Sequence, residues 1–435
     1  MNIAVVGTGY VGLVSGVCFS EFGFNVKCID NNVSKIEELK KGIVPIYEKE
    51  LDKLMSKNMK AGRLSFTSDM AEGVRDADIV FIAVGTPSKP DGSANLNYVY
   101  GAVDELAPHM NNDAILMIKS TVPVGTTRAV KRFLLDKGFD IEVAFNPEFL
   151  REGAAIEDFM RPDRIILGVE SKKAEEALKR AYRPLFVLSI PIVFTGVETA
   201  ELSKYAANAF LAMKITFINE VANLCENCGA DVQEVAYAIG LDKRIGEQFL
   251  QVGPGYGGSC FPKDTSALND FAKNFGVDMP LVEETIRSND ARREKMIQKI
   301  MSVCDNDVKN KNISILGVTF KANTDDMRDS PSICIVNHLI EKGANVKIYD
   351  PSFSEQAKRI FKNVEWNGNA YDNCNGADVV VILTDWAEFR AINLADLRCR
   401  VKTPLLVDLR SIYTVHEAKA SGFTYHSVGR PFLNG

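Results

Sequence analysis

The most chemically suggestive stretch of the chain is Gly253-Pro254-Gly255-Tyr256-Gly257-Gly258-Ser259-Cys260-Phe261-Pro262-Lys263-Asp264. Its glycines allow a backbone that can approach a ligand closely. Pro262 suits the first turn of a helix, which the pattern carries to about Phe275. Cys260 then lies just before a helix N-terminus, where the dipole and Lys263 both lower a thiol pKa and make a nucleophile. Asp264 follows four residues later, within reach to act as a base through a water. The competing reading is a structural cysteine beside a turn.

A second chemical feature opens the chain. Residues 2–6 form a short apolar run, then come Gly7-Thr8-Gly9-Tyr10-Val11-Gly12, an apolar helical segment to about Phe22, and a second run, Asn25 to Ile29, ending in Asp30. This is G-x-G-x-x-G with its flanks: strand, turn, helix, strand, acid. Gly7 permits the tight turn, Gly9 lets backbone approach a pyrophosphate, and Gly12 lets helix pack on strand. The helix N-terminus offers unpaired N–H groups to the phosphates. Asp30 can accept both ribose hydroxyls and repels a 2′-phosphate, and Asn31 and Asn32 offer it no cation, so NAD is expected rather than NADP, although Lys35 follows close behind.

Further groups call for positioning. Lys204 and Asn208 are four apart in a pattern that is helical from about Glu198 to Cys228, so they share a face. Among Tyr205, Ala206, Ala207, Ala209 and Phe210, such a lysine either snorkels or is aimed at a site. Lys321, Arg328 and Arg410 are cations near strand ends that could face phosphates, although each taken singly reads more readily as an exposed surface charge. Cys225 and Cys228 form a CxxC at the end of a helix, where no dipole favours a thiolate. The four histidines have no metal-ligand spacing, and no metal site is expected.

The elements that must carry these groups read as follows. Apolar runs at Ile79–Val84, Ala114–Ile118, Glu142–Phe145 and Ile165–Val169 continue the first sheet. Several end in turns, namely Gly85-Thr86-Pro87, Lys119-Ser120-Thr121 and Asn146-Pro147-Glu148. In an open parallel sheet ligands bind beyond the carboxyl ends of strands, so these turns are expected beside the glycine loop. The last third repeats the plan without G-x-G-x-x-G: strand Ile313–Val318, N-cap Ser330, Pro331 at N1, helix Ser332–Lys342, strand Asn345–Tyr349 and Asp350, then strands Val379–Leu383 and Leu405–Val407. The fold class is thus α/β, with two doubly wound Rossmann-like domains joined by a long central helix. The expected divisions are 1–196 for the dinucleotide domain, 197–300 for a central helical region with the cysteine loop, and 301–435 for a second nucleotide domain.

Composition agrees with that plan. At 435 residues the chain exceeds one ordinary core, and 46% hydrophobic with 25% charged residues is ordinary for a globular protein. A net charge of −6 without a dense basic run argues against nucleic acid, and no apolar stretch has membrane-spanning length. No signal-peptide pattern opens the chain, so a cytoplasmic protein with its nine cysteines reduced is expected.

Several segments together carry a resemblance. Gly7–Gly12, Lys119-Ser120-Thr121-Val122-Pro123-Val124-Gly125-Thr126, Asn146-Pro147-Glu148-Phe149-Leu150-Arg151-Glu152-Gly153, Glu201-Leu202-Ser203-Lys204-Tyr205-Ala206-Ala207-Asn208 and Gly257–Asp264 resemble, in order over nearly the whole chain, the UDP-glucose/GDP-mannose dehydrogenase family. The resemblance implies oxidation of a nucleotide sugar at its sugar C6, alcohol to acid, with NAD. It implies Cys260 as nucleophile, Lys204 beside the developing oxyanion, Asn208, Asp264 and Thr121 around a water, and Glu148 as base for thioester hydrolysis. NAD would meet Gly7, Gly9, Tyr10, Val11, Gly12, Asp30, Lys35, Thr86, Thr121, Glu152, Lys263 and Arg328. The nucleotide sugar would meet Glu148, Phe149, Leu150, Arg151, Glu152, Lys204, Asn208, Gln251, Tyr256, Gly257, Lys321 and Arg410, with Arg244 arriving from a neighbouring subunit. A homodimer or dimer of dimers built on the long helix is implied. The setting of Tyr256 and Phe261 looks most like enzymes acting on UDP-glucose, with GDP-mannose as the alternative. Lys49-Glu50 replaces the family's more usual Pro-Gly.

Two other readings compete. A 3-hydroxyacid-type dehydrogenase shares the first domain and long helix but leaves the C-terminal third unexplained. A non-catalytic sensor of NAD and nucleotide sugar has no use for Cys260, Lys204 and Asp264 together.

Overall fold

The structure is a computed structural model and describes residues 1–87, 89 and 93–431. The chain divides into two compact units. The first is Met1–Ala207 with Asp270–Gly276, and the second is Asn208–Asn269 with Val277–Gly435.

The first unit is built on strands β1 (Asn2–Val6), β2 (Asn25–Ile29), β3 (Leu64–Thr67), β4 (Ile79–Ile82), β5 (Ile115–Ile118), β6 (Glu142–Phe145), β7 (Ile165–Gly168) and β8 (Ile192–Thr195). Their order across the sheet is β3-β2-β1-β4-β5-β6-β7-β8. Pairing is parallel except between β6 and β7, which meet antiparallel at Phe145 and Gly168. Both faces are covered, so strands are apolar at successive positions. Ile3, Val5, Val26, Ile79 and Phe81 feed one core, while Ala4, Val6, Ile29, Val80 and Ile82 feed the other.

The second unit carries β9 (Asn312–Leu316), β10 (Asn345–Tyr349), β11 (Glu365–Trp366), β12 (Val379–Ile382), β13 (Leu405–Asp408) and β14 (Thr424–Ser427), all parallel, in the order β11-β10-β9-β12-β13-β14. This is the strand order of a dinucleotide-binding half-pair, and it recurs in the first six strands of the first unit. The repetition extends to hydrogen bonds. Asn2 N donates to Asp78 Oδ2 at 2.8 Å, and Asn312 N to Asp378 Oδ2 at 2.9 Å. Gly7 N donates to Ile29 O and Gly317 N to Tyr349 O, each at 2.8 Å. What differs is the link from strand to helix. After β1 the helix starts at Tyr10; after β9 it starts only at Pro331, with Ser330 as N-cap.

A 32-residue helix, Val197–Cys228, passes from the first unit into the second. Ala200 packs in a core of the first unit, and Ile218, Ala222 and Cys225 pack in a core of the second. Helix Pro280–Val303 adds Met296, Ile297 and Ile300 to that second core. Among the described residues no helix is long and apolar enough to cross a membrane.

Candidate active site

In the first unit the chemistry gathers at the carboxyl ends of the parallel strands. Gly7 follows β1 at φ +97, and a Cβ there would lie 2.7 Å from the Ala83 carbonyl oxygen. A Cβ at Gly12 would lie 1.9 Å from the Gly7 oxygen, whereas one at Gly9 would meet no atom within 4 Å. Gly7 and Gly12 are therefore demanded by the turn and by helix packing, and Gly9 leaves open space over the N-terminus of helix Tyr10–Glu21. That cradle fits a dinucleotide pyrophosphate. Asp30 braces it: Oδ2 accepts Thr8 N at 2.9 Å, Thr8 Oγ1 at 2.7 Å and Lys35 Nζ at 3.3 Å, and Oδ1 accepts Asn32 N at 3.0 Å. Burial alone would raise its pKa, but these donors and the Lys35 charge hold it below the usual range. Oδ1 keeps capacity for a further donor such as a ribose hydroxyl.

The turns after β4, β5 and β6 are tied together, as expected from their strand ends. Thr86 Oγ1 donates to Thr121 O at 2.8 Å, and Lys119 Nζ donates to Asn146 Oδ1 at 2.8 Å. Glu148 and Lys204 form a buried ion pair, 3.0 Å apart with side chains only 6% and 4% exposed. Glu148 Oε2 also accepts Leu150 N at 2.7 Å. Burial pushes the Glu148 pKa up, yet Lys204, the Leu150 amide and the Lys119 charge more than reverse it and hold it low. The Lys204 ammonium lies 5.4 Å from the Phe149 ring centroid, and the Arg164 guanidinium 3.7 Å from the same ring. Arg151 is held by Asp158 at 2.6 Å, at the exposed start of the same loop.

Tyr10 and Glu48 fasten that loop to the glycine helix. The Tyr10 hydroxyl donates to Glu48 Oε2, Gly153 N donates to Glu48 Oε2 at 2.8 Å, and Ala155 N donates to Glu48 Oε1 at 2.9 Å. Glu50, where the family more usually has glycine, adopts φ +66 and starts helix Leu51–Lys60 from a left-handed position.

In the second unit Cys260 stands immediately before helix Phe261–Asn274, and its carbonyl accepts Asp264 N at 2.8 Å. The Ser259 hydroxyl is 3.5 Å from its sulfur. Asp264 is buried with both oxygens engaged, Oδ2 by Asn208 Nδ2 and Oδ1 by Lys263 Nζ, each at 2.6 Å. Lys263 is thus bonded to Asp264. The glycines before Cys260 answer to protein contact: a Cβ at Gly257 would be 2.4 Å from Asp329 O, and one at Gly258 2.7 Å from the Phe320 ring. Gly258 N donates to Arg328 O at 2.8 Å.

The remaining candidates spread more widely. Arg410 is partly buried, donating to Leu383 O and Phe320 O at 2.8 Å each, and burial lowers its pKa. Lys321 lies over Phe320 at 5.5 Å, and Arg328 forks onto Asp326. Tyr256 is buried against Phe261, edge to face at 6.1 Å. Gln251 is exposed, and among the described residues Arg244 pairs with nearby Asp242, also on an exposed loop.

The sequence reading placed Lys119 and Asn146 in turns beside the glycine loop without giving either a role, and gave none to Tyr182, Glu48 or Arg164. Lys119 is buried, bonded to Asn146 Oδ1, which also accepts the Tyr182 hydroxyl at 2.5 Å. A lysine directly after four apolar strand residues was the available signal.

Comparison with known proteins aligns with this geometry. Three models of the UDP-glucose/GDP-mannose dehydrogenase family match: its NAD binding domain over residues 1–186, its central domain over 198–291 and its UDP binding domain over 314–415. The chain is 51% identical to the UDP-glucose 6-dehydrogenase of Rhizobium meliloti (strain 1021), covering 99% of this chain and 100% of that protein. It is 48% identical to the UDP-glucose 6-dehydrogenase of Rickettsia bellii (strain RML369-C), covering 99% of each. Among solved structures it is similar to a UDP-glucose dehydrogenase from the archaeon Pyrobaculum islandicum, with a TM-score of 0.90 at 36% identity over 99% of this chain and 98% of that one.

Proposed function

Since the chain belongs to the UDP-glucose/GDP-mannose dehydrogenase family of NAD-dependent dehydrogenases, we propose that it oxidises UDP-glucose to UDP-glucuronate in two steps through a thioester on Cys260. Full-length identity to enzymes named for that substrate supports UDP-glucose over GDP-mannose.

The chemistry assigns the roles. The alcohol first loses hydride and a proton and becomes an aldehyde. An aldehyde cannot lose a second hydride until its carbon is tetrahedral. The Cys260 thiolate adds to that carbon and gives a thiohemiacetal. Loss of hydride leaves a thioester; water then breaks the C–S bond, giving the carboxylate and restoring the thiol. The glycine loop, Asp30, Lys35, Thr86, Thr121, Glu152, Lys263 and Arg328 would hold NAD, and two NAD molecules bound in turn would accept the two hydrides. Lys204 serves the oxyanion, where a cation helps most because the charge appears only on the way to the transition state. Glu148 takes the proton of the attacking water. While paired with Lys204 it is a weak base; as the ammonium turns to the oxyanion, its basicity recovers. Asn208 and Asp264, already bonded to each other, orient a water and pass protons with Thr121.

The observation that carries this reading is Cys260 at the head of a helix, followed one turn later by a buried carboxylate gripped by Asn208 and Lys263. A non-catalytic sensor has no need of that arrangement. Glu148 to Glu152, Gln251, Tyr256, Gly257, Lys321 and Arg410 are assigned to the nucleotide sugar.

The protein is further proposed to be a cytoplasmic homodimer or dimer of dimers. Phe210, Phe217 and Leu224 repeat every seven residues on the long helix and are 57%, 53% and 64% exposed. Such a stripe suits a partner helix from a second copy, and Arg244 would then reach that copy's nucleotide sugar. Light scattering tests the assembly. The decisive enzymatic test is stoichiometry: NADH formed per UDP-glucose consumed. Two supports the thioester route, one supports the hydroxyacid-type alternative, and oxidation of GDP-mannose in preference to UDP-glucose would overturn the substrate.

A further inference from the structure

The segment Gly253–Tyr256, just ahead of the cysteine, is gripped by side chains from two helices of its own unit. Gly253 N donates to Asn219 Oδ1 and Gly253 O accepts Arg292 Nε, both at 3.0 Å. Tyr256 N donates to Asn289 Oδ1 at 2.8 Å, and Tyr256 O accepts Asn289 Nδ2 at 3.2 Å. Arg292 Nη1 continues to Asn219 O at 3.1 Å and Asn223 Oδ1 at 2.6 Å. Asn219 and Asn223 stand on helix Val197–Cys228, Asn289 and Arg292 on helix Pro280–Val303.

The donor and acceptor at both ends of this tetrapeptide are thus satisfied by side chains, not by a neighbouring strand or helix. Those side chains are almost fully withdrawn from water: Asn219 and Asn289 are 4% exposed and Arg292 is 3%. Burying a guanidinium against carbonyls and amides is costly, and burial lowers its pKa to about 10. Apolar residues could fill the same volume without that penalty. A hydrogen-bonded cation instead selects one position of the loop, because any shift strands buried donors. The loop also lacks slack against its neighbours. Gly255 has φ +118 with its would-be Cβ 2.8 Å from Asn289 Oδ1 of the clamp itself, and outside the clamp a Cβ at Gly253 would be 2.9 Å from Arg410 Nη1.

We propose that Asn289, supported by Asn219 and Arg292, is a positioning residue for the reaction: the clamp sets the place of Gly253–Tyr256, and through it the Gly257–Cys260 turn that must meet the nucleotide sugar. Its substrate aspect rests on the function proposed above; its loop-fixing aspect does not.

The test is Asn289→Asp, which keeps the acceptor for Tyr256 N and removes the donor to Tyr256 O. The expected variant is folded, binds NAD like the wild type, shows KM for UDP-glucose raised about tenfold with a much smaller change in kcat, and has Cys260 alkylated faster by iodoacetamide. A folded Asn289→Asp protein with wild-type KM and wild-type alkylation rate would overturn the proposal. If the variant does not fold, hydrogen exchange on the wild-type protein decides: strong protection of the Gly253 and Tyr256 amides supports the clamp, and exchange at the rate of an open loop refutes it. Should the wild type oxidise no nucleotide sugar, the proposed function falls, while alkylation and exchange still judge the clamp.

Discussion

Replacing Lys204 by methionine removes one half of a buried ion pair and leaves the other half in place. Glu148 is then a carboxylate with 6% of its side chain exposed and its 3.0 Å partner gone. Breaking such a pair from one side costs about 3–5 kcal/mol. Lys119 remains as a more distant cation near Glu148, which puts the expectation at the lower end, about 3 kcal/mol at pH 7. For a unit of ~150–250 residues this is a fall of about 6–12 °C in unfolding temperature. The pH dependence sharpens the prediction. In the wild type the folded-state pKa of Glu148 is held down, so its contribution is present above the unfolded value of about 4.3 and is lost as pH falls through the folded value. In Lys204→Met, burial is no longer outweighed and the folded pKa moves above the unfolded one. The variant therefore loses stability as pH rises from about 4.3 toward neutrality. Calorimetry of the wild type, Lys204→Met, Glu148→Gln and the double variant at pH 5 and pH 7 measures this. The variant should be closer to the wild type at pH 5 than at pH 7, and the double variant should be less damaged than Lys204→Met alone. Equal unfolding temperatures for Lys204→Met and the wild type at both pH values would refute the buried pair.

Three further outcomes are expected. Cys260→Ser should bind NAD and UDP-glucose in calorimetric titration yet form almost no uronate by chromatography; acid production at the wild-type rate would exclude the thioester. Burial lowers the Lys119 pKa to about 8, aided by Lys204 and opposed by Glu148. Between that value and about 10.4 the unfolded chain binds more protons, so wild-type stability gains up to about 3 kcal/mol across this range. Lys119→Met should lack that gain when denaturation is followed from pH 8 to 10. Glu50→Gly should raise stability by about 1 kcal/mol in urea denaturation, since it relieves a left-handed backbone at φ +66; no gain would mean that the Glu50 side chain contributes as much as the strain costs.

The central strands were readable because burial on both faces writes an unbroken apolar run, as at Ile79–Ile82 and Val379–Ile382. Strands β3, β8, β11 and β14 were missed, and all four are edge strands, paired on one side. Three of them, β8, β11 and β14, are largely half-exposed, which erases the apolar signal. The antiparallel entry of β7 was equally invisible, because strand direction follows the connection and not the composition of the strand.

Chain order alone therefore determined what is local: the glycine turn and its helix, the seat of Cys260 before another helix, and the shared face of Lys204 and Asn208. Each depends on residues within a few positions, where backbone geometry leaves few choices. Tertiary structure decided the partners. Glu148 meets Lys204 and Asn208 meets Asp264 across 56 residues in each case, and Lys119 meets Asn146 across 27. Strand order, helix packing and loop closure select such pairs, and spacing along the chain carries no record of them. Burial does the rest, since withdrawal from water is what pulls the Lys119 pKa down.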